Sequence, residues 1–312
     1  MIRIGCVNID VSHPLAFSRY LQKGNRARYV AVYNDGFRGD DEVEAFIKNH
    51  GLEKRCDTLE ELAEYVDIGF IQGCNWDKHV EHARPFIERG KPVFIDKPIV
   101  GNLKDLLTLE EWAKSGAVVL GGSSVRYAEE IVGLVQTPEA ERGRILNVFG
   151  TAGLDEFNYG VHIVEGIGAI LGTGAVSTQY VGSGQTEDQI CETYYIRFQN
   201  GTTAIYNLWR GIWQPFVLVA MTTKTTYHLQ VDTSKIYGQL LDRICDFLET
   251  GKSTLASWEA LKESILIMLA GRISREQGGK VVRLDEVPLD DPGYDGYAFE
   301  EEYAAGAKKM YL

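Results

Sequence analysis

The run Lys91-Pro92-Val93-Phe94-Ile95-Asp96-Lys97-Pro98 constrains this chain more than any other. Val93, Phe94 and Ile95 are bounded by Gly90 and Pro92 on one side and Pro98 on the other, which reads as a short buried strand. A strand this apolar, placed directly after a helical pattern, belongs in a parallel sheet covered on both faces. Asp96 and Lys97 follow it, where open α/β sheets bind their ligands. A lysine beside an acid is by itself only a surface pair, so the rest of the chain decides what it means.

The first third alternates strand and helix. Ile2 to Val7 is a strand, and Pro14 opens a helix through Gln22. Tyr29-Val30-Ala31-Val32-Tyr33 follows, closed by Asn34-Asp35-Gly36. Helices are predicted near Asp41–Lys48 and over Thr58–Tyr65, where Thr58 and Glu61 have capping-box spacing. Then come a strand at Ile68–Ile71, a helix over Asp77–Glu88, the Val93–Ile95 strand, a helix over Leu103–Lys114 and a strand at Ala117–Leu120. Repeated βαβ units predict a doubly wound parallel sheet with right-handed crossovers over residues 1–121.

Past Gly121 the period changes. Arg144–Gly150, Val176–Val181, Thr193–Phe198, Thr202–Trp209, Phe216–Thr222 and Thr225–Val231 read as strands, most without helices between them. Phe198-Gln199-Asn200-Gly201-Thr202 carries an Asn-Gly hairpin signal. Helices are expected at Asn158–Leu171, Lys235–Glu249 and Ser257–Gln277. Residues 122–312 therefore form an α+β domain around a mostly antiparallel open sheet, and the acidic, Tyr-rich tail from Asp285 packs across a domain surface as a loosely structured strap. At 312 residues the chain has room for both domains.

The net charge of -12 argues against nucleic acid and anionic membrane surfaces as partners. Cys6, Cys56, Cys74, Cys191 and Cys245 are scattered and odd in number, which suits reduced thiols in a cytoplasmic protein. The chain opens directly on a strand, with no signal-peptide pattern and no apolar run of membrane-spanning length.

The order of elements resembles the glucose-fructose oxidoreductase / inositol dehydrogenase (Gfo/Idh/MocA) family. Asp96-Lys97-Pro98 resembles the family's Glu-Lys-Pro, and Asn75 with His79 its Asn-x-x-x-His. Arg126-Tyr127 is similar to its Arg-aromatic pair, Asn158–His162 to its Asp-x-Gly-x-His, and Ser274–Val282 to its closing Ser-x-x-x-Gly-x-x-Val. The resemblance implies an N-terminal Rossmann domain and NAD or NADP bound near Asn8, Asp10, Asn34, Asp35, Asn75, Asp96 and Lys97, with the nicotinamide between Lys97 and His162. It also implies a sugar, polyol or inositol-like substrate, a cis bond before Pro98, and a homodimer or homotetramer. Trp209, Trp213 and Phe216, close in sequence, suggest association through the open sheet face.

The residues give the chemistry independently. Asn158 and His162 are four apart, one turn apart on one helical face, and Gly160, Gly166 and Gly168 allow that helix to approach another backbone or a flat ligand closely. A histidine passes a proton near neutrality, and a lysine stabilises charge on the same oxygen. Together they suit oxidation of a secondary alcohol, with hydride going to a nicotinamide. His162 also reads as an interior histidine held by hydrogen bonds. His79 and His82 lack acidic or cysteine partners at ligand spacing, so no metal is expected there.

The departures from the family fall on the site itself. Its Gly-x-Gly-x-x-Gly turn is here Asn8-Ile9-Asp10-Val11-Ser12-His13, without a glycine. Asp10 sets a carboxylate beside the expected pyrophosphate, unless it turns away and caps the helix. Asn34 stands where an acid would hold the ribose, with Asp35 next to it; Gly73-Cys74 replaces Thr-Pro. Asn158 replaces the family's aspartate, with Asp155 and Glu156 as substitutes nearby. An NAD(P)-dependent oxidoreductase is the first reading; the alternative is a non-catalytic relative that binds a small ligand or serves as an assembly partner. Lyase or hydrolase chemistry within the same fold is a third.

Overall fold

In the computed structural model, which describes residues 1–186 and 189–311, β1 (Ile2–Val7), α1 (His13–Leu21), β2 (Ala27–Tyr33), α2 (Asp40–His50), β3 (Lys54–Arg55), α3 (Leu59–Tyr65), β4 (Ile68–Ile71), α4 (His79–Glu88), β5 (Val93–Asp96), α5 (Leu103–Lys114) and β6 (Val119–Gly122) form the expected alternation. The strands stand in the order β3-β2-β1-β4-β5-β6, every neighbouring pair parallel. All four residues of β5 are buried, as an interior strand of a doubly wound sheet requires. Phe70 of β4 packs on Phe94 of β5 with centroids 5.0 Å apart, and Phe17 of α1 sits 6.3 Å from both. The Thr58 cap forms: its Oγ accepts from Glu61 N–H at 3.1 Å, and Glu61 reaches back to Asp57 N–H at 2.7 Å.

The chain continues through α6 (Glu129–Gln136), α7 (Glu139–Arg142), β7 (Ile145–Leu154), α8 (Gly160–Leu171), β8 (Ala175–Thr186), β9 (Gln189–Phe198), β10 (Thr203–Arg210), β11 (Val217–Thr222), β12 (Thr226–Gln230), α9 (Ile236–Thr250), α10 (Trp258–Glu276), β13 (Val282–Arg283) and α11 (Gly296–Gly306). The second sheet has seven strands in the order β12-β11-β7-β10-β9-β8-β13. Only β7 and β10 pair in parallel among the described residues, so the sheet is mixed but mostly antiparallel. The Asn200-Gly201 hairpin joins β9 to β10, with Gly201 at φ 83°. Val148, Ile196, Tyr206, Leu208 and Leu218 on one face are buried, while Phe149, Tyr195, Ile205 and Trp209 on the other are half-buried.

Two details differ from the sequence reading. Phe216 is buried rather than displayed on the open face and Trp209 is half-buried, leaving Trp213 as the exposed aromatic of that group. The tail contains a helix, α11, started by Asp295, whose carboxylate accepts from Ala298 N–H at 2.8 Å.

The chain divides into two compact units: Met1–Gly122 with Leu240–Trp258 and Asp295–Leu312, and Ser123–Gln239 with Glu259–Tyr294. The tail after Asp295 thus returns to the first unit. Among the described residues no helix is long and apolar enough to cross a membrane.

Candidate active site and cofactor edge

The carboxyl ends of β1, β2 and β4 bring together Asn8, Asp10, Asn34, Asp35 and Asn75. Asn8 adopts φ 65°, a left-handed conformation that asparagine tolerates better than most residues. Its side chain ties β1 to β2, donating to Asp35 at 2.8 Å and accepting from Asp35 N–H at 2.9 Å. Asn34 accepts from Ile9 N–H at 3.2 Å and donates to Arg38 O at 3.2 Å. His82 reaches Asp35 at 3.1 Å. Burial disfavours the Asp35 charge, but His82 and the Asn8 amide outweigh it and hold its pKa at about 2. His79 bridges the Gly73 and Ile99 carbonyls, each at 3.0 Å.

Asp10 turns into the protein. It is fully buried, one oxygen accepting from Cys74 N–H at 3.2 Å while the other has no hydrogen-bond partner. Gly36 makes room: a Cβ there would lie 1.9 Å from that second oxygen. Burial first, and then the charges of Glu300 and Asp35, push the Asp10 carboxyl up to about 6. The Arg38 guanidinium donates to the Asp10 carbonyl at 2.9 and 3.1 Å rather than to its carboxylate. Ligand-type atoms of Asp10, Cys74 and Glu300 lie within 4.8 Å of one another. Burial pushes the Cys74 thiol up, so it keeps its proton at neutral pH.

At the turn after β5, Lys97 and Pro98 are joined by a cis bond, as the family resemblance implies. Asp96 is buried, accepts from Lys97 N–H at 2.8 Å and meets His13 Nδ1 at 2.6 Å. Burial would raise its pKa, but the neighbouring His13 and Lys97 prevail and hold it below the usual carboxylate range. Asp96 therefore braces the turn that carries Lys97.

In the second unit His162 lies on the first turn of α8, buried, 4.9 Å from the Phe216 ring and 5.9 Å from that of Tyr159. Its Nδ1 is 2.6 Å from Ser123 Oγ, which also accepts from Val125 N–H at 3.1 Å. When Nδ1 donates to Ser123, the lone pair sits on Nε2, the tautomer a base requires. Asn158 precedes α8 rather than sharing its helical face with His162: the Asp155 carboxylate accepts from the N–H groups of Asn158 and Tyr159 at 2.5 and 3.2 Å and makes the turn. Glu156 joins Arg210, Arg275 and Tyr294. Arg126 is spent on a buried pair with Glu165 at 3.0 Å.

Sequence reasoning missed His13, Gly36, Arg38, Ser123 and Glu300. Each acquires its role from a partner 26 or more positions away, as Ser123 does with His162.

Residues 4–122 match the model of an oxidoreductase family with an NAD-binding Rossmann fold, Gfo/Idh/MocA. The match spans the parallel sheet of the first unit, from β1 to β6. No curated protein matches the chain by sequence. Among solved structures, a probable dehydrogenase from Thermotoga maritima superposes with a TM-score of 0.80 at 17% identity, covering 92% of this chain and 100% of that one. A putative myo-inositol dehydrogenase from Sinorhizobium meliloti gives 0.79 at 14%, covering 91% and 100%. Scyllo-inositol dehydrogenase from Lactobacillus casei, with bound NAD(H) and scyllo-inositol, gives 0.77 at 13%, covering 92% and 100%. At these identities the likeness is one of fold.

A dinucleotide fits this edge only in part. Lys97 is half-buried on its cis-proline turn at the carboxyl end of β5. The β1 turn, as it stands, does not fit a pyrophosphate: Ile9 N–H is taken by Asn34, and the side chain at the glycine position is a buried carboxylate.

Proposed function

We propose that the protein is an NAD(P)-dependent oxidoreductase that oxidises a secondary alcohol of a cyclic polyol or sugar. The observation that carries this is Lys97, held on a braced turn at the carboxyl end of β5 within a domain of the NAD-binding oxidoreductase family. Inositol is the substrate class of two structural relatives, which is why cyclic polyols come first.

Each residue has a separable role. The Lys97 ammonium stabilises negative charge on the substrate oxygen. His162 accepts the hydroxyl proton at Nε2, and Ser123 holds the tautomer through Nδ1. The dinucleotide supplies the hydride acceptor when bound. Asn158 serves the turn before α8 and takes no proton.

The test is reduced-nicotinamide absorbance with NAD or NADP and a panel of inositols, other polyols and aldoses. Activity in the native chain, with kcat falling at least about a hundredfold in Lys97→Met and in His162→Gln, is the expected result. Ser123→Ala should shift the pH profile of kcat/KM while leaving the fold intact. Activity surviving in Lys97→Met would remove the assignment. No turnover with any pair, despite measurable dinucleotide binding, would favour the non-catalytic relative.

A further inference from the structure

The carboxyl edge of the first unit already has an occupant, and it is the chain itself. Helix α11 presents Gly296, Phe299, Glu300 and Tyr303 to this edge, at positions i, i+3, i+4 and i+7, while Tyr297, Glu301 and Glu302 face solvent. Phe299 packs on Trp76 at 4.8 Å, and Tyr303 on Phe37 at 6.1 Å. The Asn75 amide donates to Glu300 at 2.9 Å, and Gly296 N–H donates to Asp77 at 2.8 Å. Beyond the helix, Arg38 donates to Lys308 O at 2.8 Å, Glu42 accepts from Met310 N–H at 3.1 Å, and the buried Tyr311 hydroxyl donates to Val11 O at 2.9 Å.

These contacts run over the loops after β4, β2 and β1, the three loops a dinucleotide crosses in a Rossmann domain. Two features show that the fit is close. A Cβ on Gly296 would lie 2.5 Å from Asn75 Oδ1 and 3.0 Å from Asp77 N, so no other residue sits there without moving the helix. Glu300 places an acidic group within 4.8 Å of Asp10, the residue standing where a phosphate-facing glycine would be. One carboxylate thus lies where the cofactor would bring a phosphate.

We infer that the segment from Asp295 to Tyr311 is a built-in competitor of the dinucleotide, so that cofactor binding and docking of this segment exclude one another. The inference rests on the dinucleotide reading above. Because the segment is tethered, it competes at a high effective concentration. The apparent dissociation constant is the intrinsic one divided by the fraction of molecules with the segment released, so about one per cent released means about a hundredfold weaker binding. Releasing the segment should recover that factor.

The experiment uses the full chain and Gly296→Val, whose added side chain must lift α11 from Asn75 and Asp77. NADH and NADPH binding are measured by fluorescence titration, with hydrogen exchange of residues 296–311 followed with and without nucleotide. The expected result is affinity at least tenfold tighter in Gly296→Val, and faster exchange across the segment when nucleotide binds the native chain. Equal affinity in both proteins, with the segment still protected in the bound state, would overturn the inference and leave the dinucleotide reading standing. No binding in either, while exchange shows the segment released in Gly296→Val, would overturn both. Should Gly296→Val fail to fold, the native-chain exchange measurement decides alone.

Discussion

Asp10 and Asp96 are both buried aspartates at carboxyl ends of the same parallel sheet, yet their carboxyls are pushed in opposite directions. Burial raises both. Asp96 has His13 at 2.6 Å and the Lys97 N–H at 2.8 Å, and its pKa falls. Asp10 has one N–H, an oxygen without a partner, and Glu300 and Asp35 as charged neighbours, and its pKa rises to about 6. Burial alone thus does not decide whether an acid stays charged; the donors it finds there do. The same difference separates the turn that carries Lys97 from the turn that follows β1.

The largest effect should come from Asp10→Asn. A carboxyl raised from 3.8 to about 6 binds a proton that the unfolded chain has already released. Its stabilising effect is therefore complete below about pH 4 and is lost as pH rises to about 6, a drop of roughly 3 kcal/mol. The asparagine variant should melt at higher temperature than the native chain at pH 7 and lose that slope. An unchanged melting profile between pH 4 and 7 would show that Asp10 finds another partner.

His13→Ala comes next. It leaves the buried Asp96 carboxylate without its partner, at a cost of about 2 kcal/mol. The sign is opposite to that of Asp10: a depressed pKa stabilises the fold above the unfolded value and loses that effect as pH falls through the folded one. The native-minus-variant difference should shrink below about pH 4. A variant as stable as the native chain at pH 7 would mean that Lys97 alone satisfies Asp96.

Glu300→Gln should act least. It removes one repelling charge from Asp10 and so lowers the Asp10 pKa without abolishing the shift that burial causes. Carboxyl titration by NMR reads this directly, and an Asp10 pKa that does not move would break the electrostatic link between α11 and the β1 turn.

Period and turn chemistry made much of the fold legible. Val93–Ile95 with its flanking prolines specified an interior strand, Thr58 with Glu61 a helix start, and Asn200-Gly201 a hairpin. Each signal acts within a few residues. The same local logic placed Lys97 after β5. It failed at Asn158 and His162, where four-residue spacing implied a shared helical face but Asp155 ends the turn before the helix begins.

What the sequence by itself determined is the pattern: two sheets of different kinds, and a lysine and a histidine on elements suited to proton and charge chemistry. The tertiary structure alone decided the partners. Asp96 meets His13 across 83 positions, Asn75 meets Glu300 across 225, and Val11 meets Tyr311 across 300. Such pairs carry no local signature, because the free energy that selects them comes from burying and hydrogen-bonding groups that only the topology brings together.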